Sequence, residues 1–218
     1  MLQTPQKIKP RNTHPIRRTL RITASRTKPK SKARTKEMKK IAQMCLLTLV
    51  AASSMLAANH PRVGGHEMFP SKNIVQNALN SDDHTTLVAA VKAAGLVDTL
   101  EGPGPFTVFA PTNEAFSKLP AGTVDTLLMT ENKGMLTKIL TYHVVAGKMD
   151  SKQIAMAIKA GNGKAELNTV SGGKLWATMQ GKDLILTDET GGMAKVTISN
   201  VYQSNGVIHV IDTVLLPN

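Results

Sequence analysis

Apolar residues in the first third of the chain body recur at helical spacing. Ile74, Val75, Ala78 and Leu79 share one helical face, and Leu87, Val88, Val91 and Ala94 share another. The spacing predicts two short helices, the second with Asp83 as N-cap and Gly95 as its C-terminal stop. Phe106-Thr107-Val108-Phe109 is a β-prone run bracketed by Pro105 and Pro111, after which Thr112 caps a helix carrying Ala115, Phe116 and Leu119. Helical spacing returns at Val124, Leu127 and Leu128 and again at Leu136, Ile139 and Leu140, and the chain then extends from Tyr142 to Val145. Asp150 or Ser151 opens a further helix with Ile154, Ala155 and Ile158 on its inner face, and Gly161 to Gly163 closes it.

From Ala165 the period changes. Leu167-Asn168-Thr169-Val170, Leu175-Trp176-Ala177, Leu184-Ile185-Leu186, Val196-Thr197-Ile198 and Val207 to Leu216 are short β-prone runs. Turn clusters at Gly172-Gly173, Gly181-Lys182-Asp183 and Gly191-Gly192 separate them. Tight turns between close strands favour antiparallel pairing, because parallel neighbours need a long crossover. The fold class is α+β, with helices packed on an antiparallel sheet or sandwich. No internal repeat is visible.

The net charge of +12 suggests an anionic partner until its distribution is considered. Of 27 Lys and Arg, 14 fall in residues 1–40 beside one acid, Glu37, so residues 41–218 carry 13 bases against 14 of the 15 acids. A near-neutral body, in a chain only 3% aromatic, lacks the basic clusters and stacking platforms of a nucleic-acid binder. Lys39-Lys40, the apolar run Ile41 to Ala52 and the small residues Ser53, Ser54, Ala57 and Ala58 follow the order of a secretory signal peptide. The run is too short to span a membrane, which takes about 20 apolar residues.

The expected organisation is therefore a basic extension over residues 1–37, a signal peptide over 38–57, a flexible lead-in over 58–71 and one domain over 72–218. Translation starting at Met38 would leave the extension untranslated; a disordered basic tail or an organelle-targeting peptide is the alternative. The one cysteine, Cys45, lies inside the apolar run and excludes an intramolecular disulfide. It reads as an ordinary signal residue rather than a lipid anchor.

Three segments then point to a family. Thr107-Val108-Phe109-Ala110-Pro111-Thr112-Asn113-Glu114-Ala115-Phe116, Tyr142-His143-Val144-Val145, and Asn205-Gly206-Val207-Ile208-His209-Val210-Ile211-Asp212 with Leu215-Leu216-Pro217 stand in the order of the fasciclin domain's two boxes and central Tyr-His motif. The chain resembles that family. The resemblance implies a compact wedge, a β-sandwich with helices alongside, and a role in adhesion or extracellular contact rather than catalysis. Within the last box, Asn205-Gly206 is expected to supply left-handed turn residues, with Val207, His209 and Ile211 on one face and Ile208, Val210 and Asp212 on the other.

In animal members the Tyr-His motif is implicated in receptor binding, which makes Tyr142 and His143 candidates here. A histidine that hydrogen-bonds backbone at a helix-to-strand junction is the competing structural reading, and the stronger one. An adhesive Asp-Ile pair of some members corresponds to Asn200-Val201, with Tyr202 beside it. Without the carboxylate, integrin-type recognition is not expected. A protein or matrix polymer is the implied partner, for a chain that is secreted or periplasmic and associated with the cell surface.

No catalytic pattern is present: there is neither a Gly-x-Ser-x-Gly elbow nor a His-Glu-x-x-His pair. No cofactor or metal is expected. Asp82-Asp83-His84 reads as helix capping and His60 and His66 as residues of the lead-in, while Asp188-Glu189 reads as a solvated turn. A second function class is carriage of an apolar small molecule, for which Met129, Met135, Met149, Met156, Met179 and Met193 supply adaptable side chains, unless they are core filler.

Overall fold

The computed structural model describes residues 60–218. The basic extension, the signal peptide and Cys45 lie outside the described residues.

The described chain opens with a small hairpin, β1 (Arg62–Val63) and β2 (His66–Glu67). Three helices follow: α1 (Ile74–Ala78), α2 (Thr85–Ala94) and α3 (Val97–Glu101), with a 3-10 turn at Asp82–His84 before α2. Strand β3 (Phe106–Pro111) leads into α4 (Asn113–Ser117), α5 (Thr123–Leu128) and α6 (Lys133–Tyr142). Then come β4 (Val144–Ala146), α7 (Ser151–Ala160), β5 (Lys164–Asn168), β6 (Lys174–Gln180), β7 (Asp183–Thr187), β8 (Met193–Gln203) and β9 (Gly206–Ile211).

Seven strands form one sheet in the order β4-β3-β9-β8-β7-β6-β5. An isolated antiparallel bridge from Val145 to Thr169 joins its two ends, so the sheet nearly closes on itself. The architecture is α+β, as the patterning predicts. One pairing departs from the antiparallel rule: β3 and β9 run parallel, from Phe106 opposite Gly206 to Pro111 opposite Ile211. The crossover that such a pair requires is everything between them in the chain.

This pair divides the core. Val108, Ala110, Ile208 and Val210 face a cluster containing Leu87, Val91, Leu136 and Leu140 of the helices. Phe109, Val145 and Ile211 face the other way, onto Ile154 and Ile158 of α7 and Leu175 and Leu186 of the sheet. Alternation along a strand sends neighbours to opposite faces, so Val108 and Phe109 serve different cores. Every residue of β9 is buried.

Local chemistry sets the helix ends. Asn73 and Asp150 form capping boxes with Gln76 and Gln153, Thr112 Oγ1 accepts the Ala115 N–H, and Gly95 ends α2 at φ 72°. Asp83, however, is not a cap. It sits in the 3-10 turn, and the N–H of Thr86 instead donates to Asn113 Oδ1, 2.9 Å away and 27 residues along the chain.

Two further expectations are corrected. From residue 60 on, the expected flexible lead-in is built into the domain. Val63 and Met68 are buried, and the α1 residue Asn77 bonds both backbone groups of Phe69 and the side chain of Gln203. At the last box the turn is Ser204-Asn205, and neither Asn205 nor Gly206 takes a left-handed conformation. Gly206 starts β9 where the parallel partner comes closest: a Cβ there would collide with the Phe106 carbonyl oxygen. Asn205 is a bracket instead. Its Oδ1 accepts the Ile74 N–H at 3.1 Å, and its Nδ2 donates to the carbonyls of Leu100 and Gly102 at 2.8 and 2.9 Å.

Asn205→Ala removes all three bonds at a half-buried site, and urea denaturation should show a loss of about 2–4 kcal/mol. A loss below about 0.5 kcal/mol would show that the bracket is dispensable.

Candidate functional site

Tyr142 ends α6 and His143 follows it, and both are buried, at 0% and 3% exposure. The Tyr142 hydroxyl donates to the Lys174 carbonyl at 2.6 Å and accepts the Glu189 N–H at 3.1 Å. Burial pushes its pKa up to about 12. His143 Nδ1–H donates to the Ile139 carbonyl at 2.9 Å, which leaves Nε2 to accept the Leu215 N–H at 3.1 Å. Both ring nitrogens are committed in the neutral form. Burial lowers the His143 pKa to about 4, against the opposing pull of the Ile139 carbonyl and Asp188.

The bond to Leu215 is one of three that backbone N–H groups of the C-terminal segment donate to side chains. Leu216 N–H donates to Asp188 Oδ2 at 2.9 Å and Asn218 N–H to Glu189 Oε2 at 3.2 Å. Asp188 therefore is not a solvated turn residue. It is 3% exposed, and its Oδ1 also accepts from the Thr190 N–H and hydroxyl and the Gly192 N–H. A buried carboxylate needs such donors.

The second candidate segment lies on β8 where its register against β9 slips twice, between Val196 and Ile198 and between Ile198 and Val201. Asn200 takes φ 61° there, a conformation that asparagine tolerates better than most residues. Its Oδ1 accepts the Ser151 N–H and its Nδ2 donates to Ser151 Oγ, both at 2.7 Å, so Asn200 ties the bulge to the start of α7. Beneath it, His209 stacks on Phe109 with ring centres 5.7 Å apart. His209 Nε2–H donates to the Met149 carbonyl at 2.9 Å, and Nδ1 faces the Asn200 N–H at 3.4 Å. Burial lowers the His209 pKa too.

Val201 points inward at 1% exposure, into the helical core, whereas Tyr202 is 38% exposed. Lys148 Nζ lies 5.0 Å from the Tyr202 ring centre, and the Tyr202 hydroxyl is 3.5 Å from Asp150 Oδ2. Of the five candidate residues, the fold thus buries Tyr142, His143 and Val201. It places Asn200 and Tyr202 in one surface patch with Lys148, Asp150 and Ser151. The two groups are joined through Phe109, whose N–H donates to the His143 carbonyl while its ring stacks on His209. Lys148 and Asp150 could not be assigned to the patch from spacing, because they lie some fifty residues from Tyr202.

A cavity of about 50 Å³ lies on the helical side of the β3/β9 pair. Its wall is mostly apolar, with Met68, Val91, Leu140 and Ile208 among others, and also includes Asn77, Ser81, Lys92 and the candidate residue His143. The six methionines expected to suit a ligand do not line it, and Met129, Met135, Met156, Met179 and Met193 are exposed instead. These five occupy solvent-facing positions, neither pocket nor core filler, whereas Met149 packs against the sheet-side core. His84 does line the cavity, with Nδ1 2.8 Å from Ser81 Oγ and a pKa lowered by burial. Asp82 turns outward to His66 at 3.2 Å, so Asp82-Asp83-His84 does not converge. Among the described residues no cluster of three or more His, Cys, Asp or Glu could hold a metal, and no helix is long and apolar enough to cross a membrane.

Comparison with known proteins agrees with this architecture. A model of the fasciclin domain matches residues 82–217. Protein sll1483 of Synechocystis is 49% identical over 155 residues, covering 66% of this chain and 73% of that protein. Immunogenic protein MPB70 of Mycobacterium bovis is 40% identical, covering 64% of this chain and 66% of its own, and the cell surface glycolipoprotein MPB83 of the same species is 38% identical, covering 64% and 58%. Among solved structures, the FAS1 domain pair of the insect cell adhesion molecule fasciclin I superposes with a TM-score of 0.60 at 19% identity, over 67% of this chain and 51% of that one. The chain belongs to the fasciclin domain family, whose domains are generally non-catalytic.

The buried His143 makes stability depend on pH in a definite direction. Its folded pKa, about 4, lies below its ordinary value of 6.5, so the unfolded chain binds the extra proton first and stability falls as pH drops from about 6.5 towards 4. Over that window His143 should account for about 3 kcal/mol, and His143→Gln should flatten the fall in urea unfolding measured at pH 7 and pH 4.5. An unchanged slope would show that folding does not lower the His143 pKa.

Proposed function

We propose that the chain is an exported interaction module that binds a protein or matrix polymer at the cell surface or in the extracellular space, through the patch centred on Tyr202. One observation carries this reading: an exposed aromatic side chain is held against Lys148 and Asp150 just after a backbone bulge tied down by Asn200. Tyrosine combines a large apolar face with a polar tip and little side-chain entropy to lose, which is why it recurs at binding hot spots. Tyr142 and His143 act in this account as framework, setting the C-terminal segment and the Phe109 strand rather than touching a partner. Export rests on the signal-peptide pattern before residue 58, and surface association on likeness to a cell surface glycolipoprotein and a cell adhesion molecule.

Carriage of an apolar small molecule is a second reading, favoured by the aliphatic cavity beside β9. Its 50 Å³ restricts the cargo, since sites for drug-sized ligands run to about 300–1,000 Å³.

The patch is tested by binding of the protein to a cell-envelope fraction of its native host. Tyr202→Ala should weaken binding about tenfold while the melting temperature stays within about 1 °C, and Tyr202→Phe should fall between. Full binding by Tyr202→Ala would place the contact elsewhere.

A further inference from the structure

The cavity wall carries one polar atom without a partner. His84 is 3% exposed, its Nδ1 meets Ser81 Oγ, and among the described residues its Nε2 has no hydrogen-bond partner. The Ala110 carbonyl lies near enough to raise the ring's affinity for a proton, but outside hydrogen-bond geometry for Nε2. With only the Ala110 carbonyl close by, this nitrogen loses its bond to water on folding without a full replacement. The cavity that His84 lines is walled mostly by apolar side chains such as Val63, Met68, Ile74, Val91, Leu140 and Ile208, and its other buried polar members, Asn77, Ser81 and His143, are engaged in bonds of their own. A lone water is poorly served there, because buried waters hold about two to four polar partners each. At the rim, Val88, Lys92 and Val97 are partly exposed, so the cavity has a way in between α2 and α3.

The ring's surroundings also define the missing group. Ser81 Oγ can either donate to Nδ1, which leaves a proton on Nε2, or accept from Nδ1–H, which leaves Nε2 as a bare acceptor. A hydroxyl satisfies both cases, since it donates and accepts, whereas a carbonyl satisfies only the first. Size limits the remainder. The cavity's 50 Å³ is well under the roughly 150 Å³ of a cavity that admits benzene.

We propose that this cavity binds a short aliphatic alcohol, its carbon chain among the Val, Leu and Ile side chains and its hydroxyl on His84 Nε2. The inference rests on the carriage reading and goes beyond it by naming the polar group and the residue that selects it.

The test is a titration of the full chain with ethanol and with chloroethane, two probes small enough for the cavity, followed by NMR. With ethanol, the methyl resonances of Met68, Val91 and Ile208 should shift saturably and the His84 Nε2 resonance should move. Affinity should exceed that for chloroethane by about tenfold, the scale of one buried hydrogen bond. His84→Leu should abolish that preference while still admitting both compounds. The Nε2 resonance of the unaltered protein keeps the test decisive if that variant does not fold. Equal binding of the two probes with Nε2 unmoved would overturn the hydroxyl assignment and leave carriage standing. Absence of saturable shifts with either probe would overturn both.

Discussion

The parallel pairing of β3 with β9 is the constraint on which the rest of the domain depends. It joins Phe106–Pro111 to Gly206–Ile211, the last strand among the described residues, and puts both strands between two apolar clusters. Closing so long a segment is entropically costly before the pair's contacts form. The compensation lies in burial on both faces and in the absence of a side chain at Gly206, which lets the backbones meet. Asn205 then fixes the approach by tying the turn before β9 to α1 and α3.

From this seam the two motifs that resemble functional sites in the family acquire different physical roles. His143 hands its carbonyl to Phe109 and its ring to Leu215, so it belongs to the seam and to the closure of the C-terminal segment. On the other side of Phe109, His209 supports the Asn200 bulge, and the bulge presents Tyr202. A rigid interior thus positions one exposed aromatic. Loops and bulges held by a stiff scaffold are where binding surfaces concentrate, because their side chains can vary without disturbing the core.

Features that depend on near neighbours in the chain were legible in the sequence. Thr112 as a cap, Gly95 as a stop, the Asp150 helix start and the alternation through Val207 to Ile211 each need only a few residues of context. What could not be read depends on partners far along the chain. Asn113 caps a helix that precedes it by more than twenty residues, Asp188 is buried by donors that include Leu216, and the segment after residue 60 is recruited by Asn77. The methionines looked like ligand-site material by composition, but composition does not say which face of an element a residue takes. Tyr142 and His143 were legible as a motif and as a junction, and the bulge that lifts Tyr202 was not, since register slips leave no pattern in one strand alone.

Native-state hydrogen exchange tests the central claim most directly. If the β3/β9 pair is the seam of the domain, the amides of Val108, Phe109, Val210 and Ile211 should exchange only through global unfolding, with free energies equal to that from urea denaturation. Exchange of these amides through a cheaper local opening, while those of α7 or β6 remain protected, would contradict it.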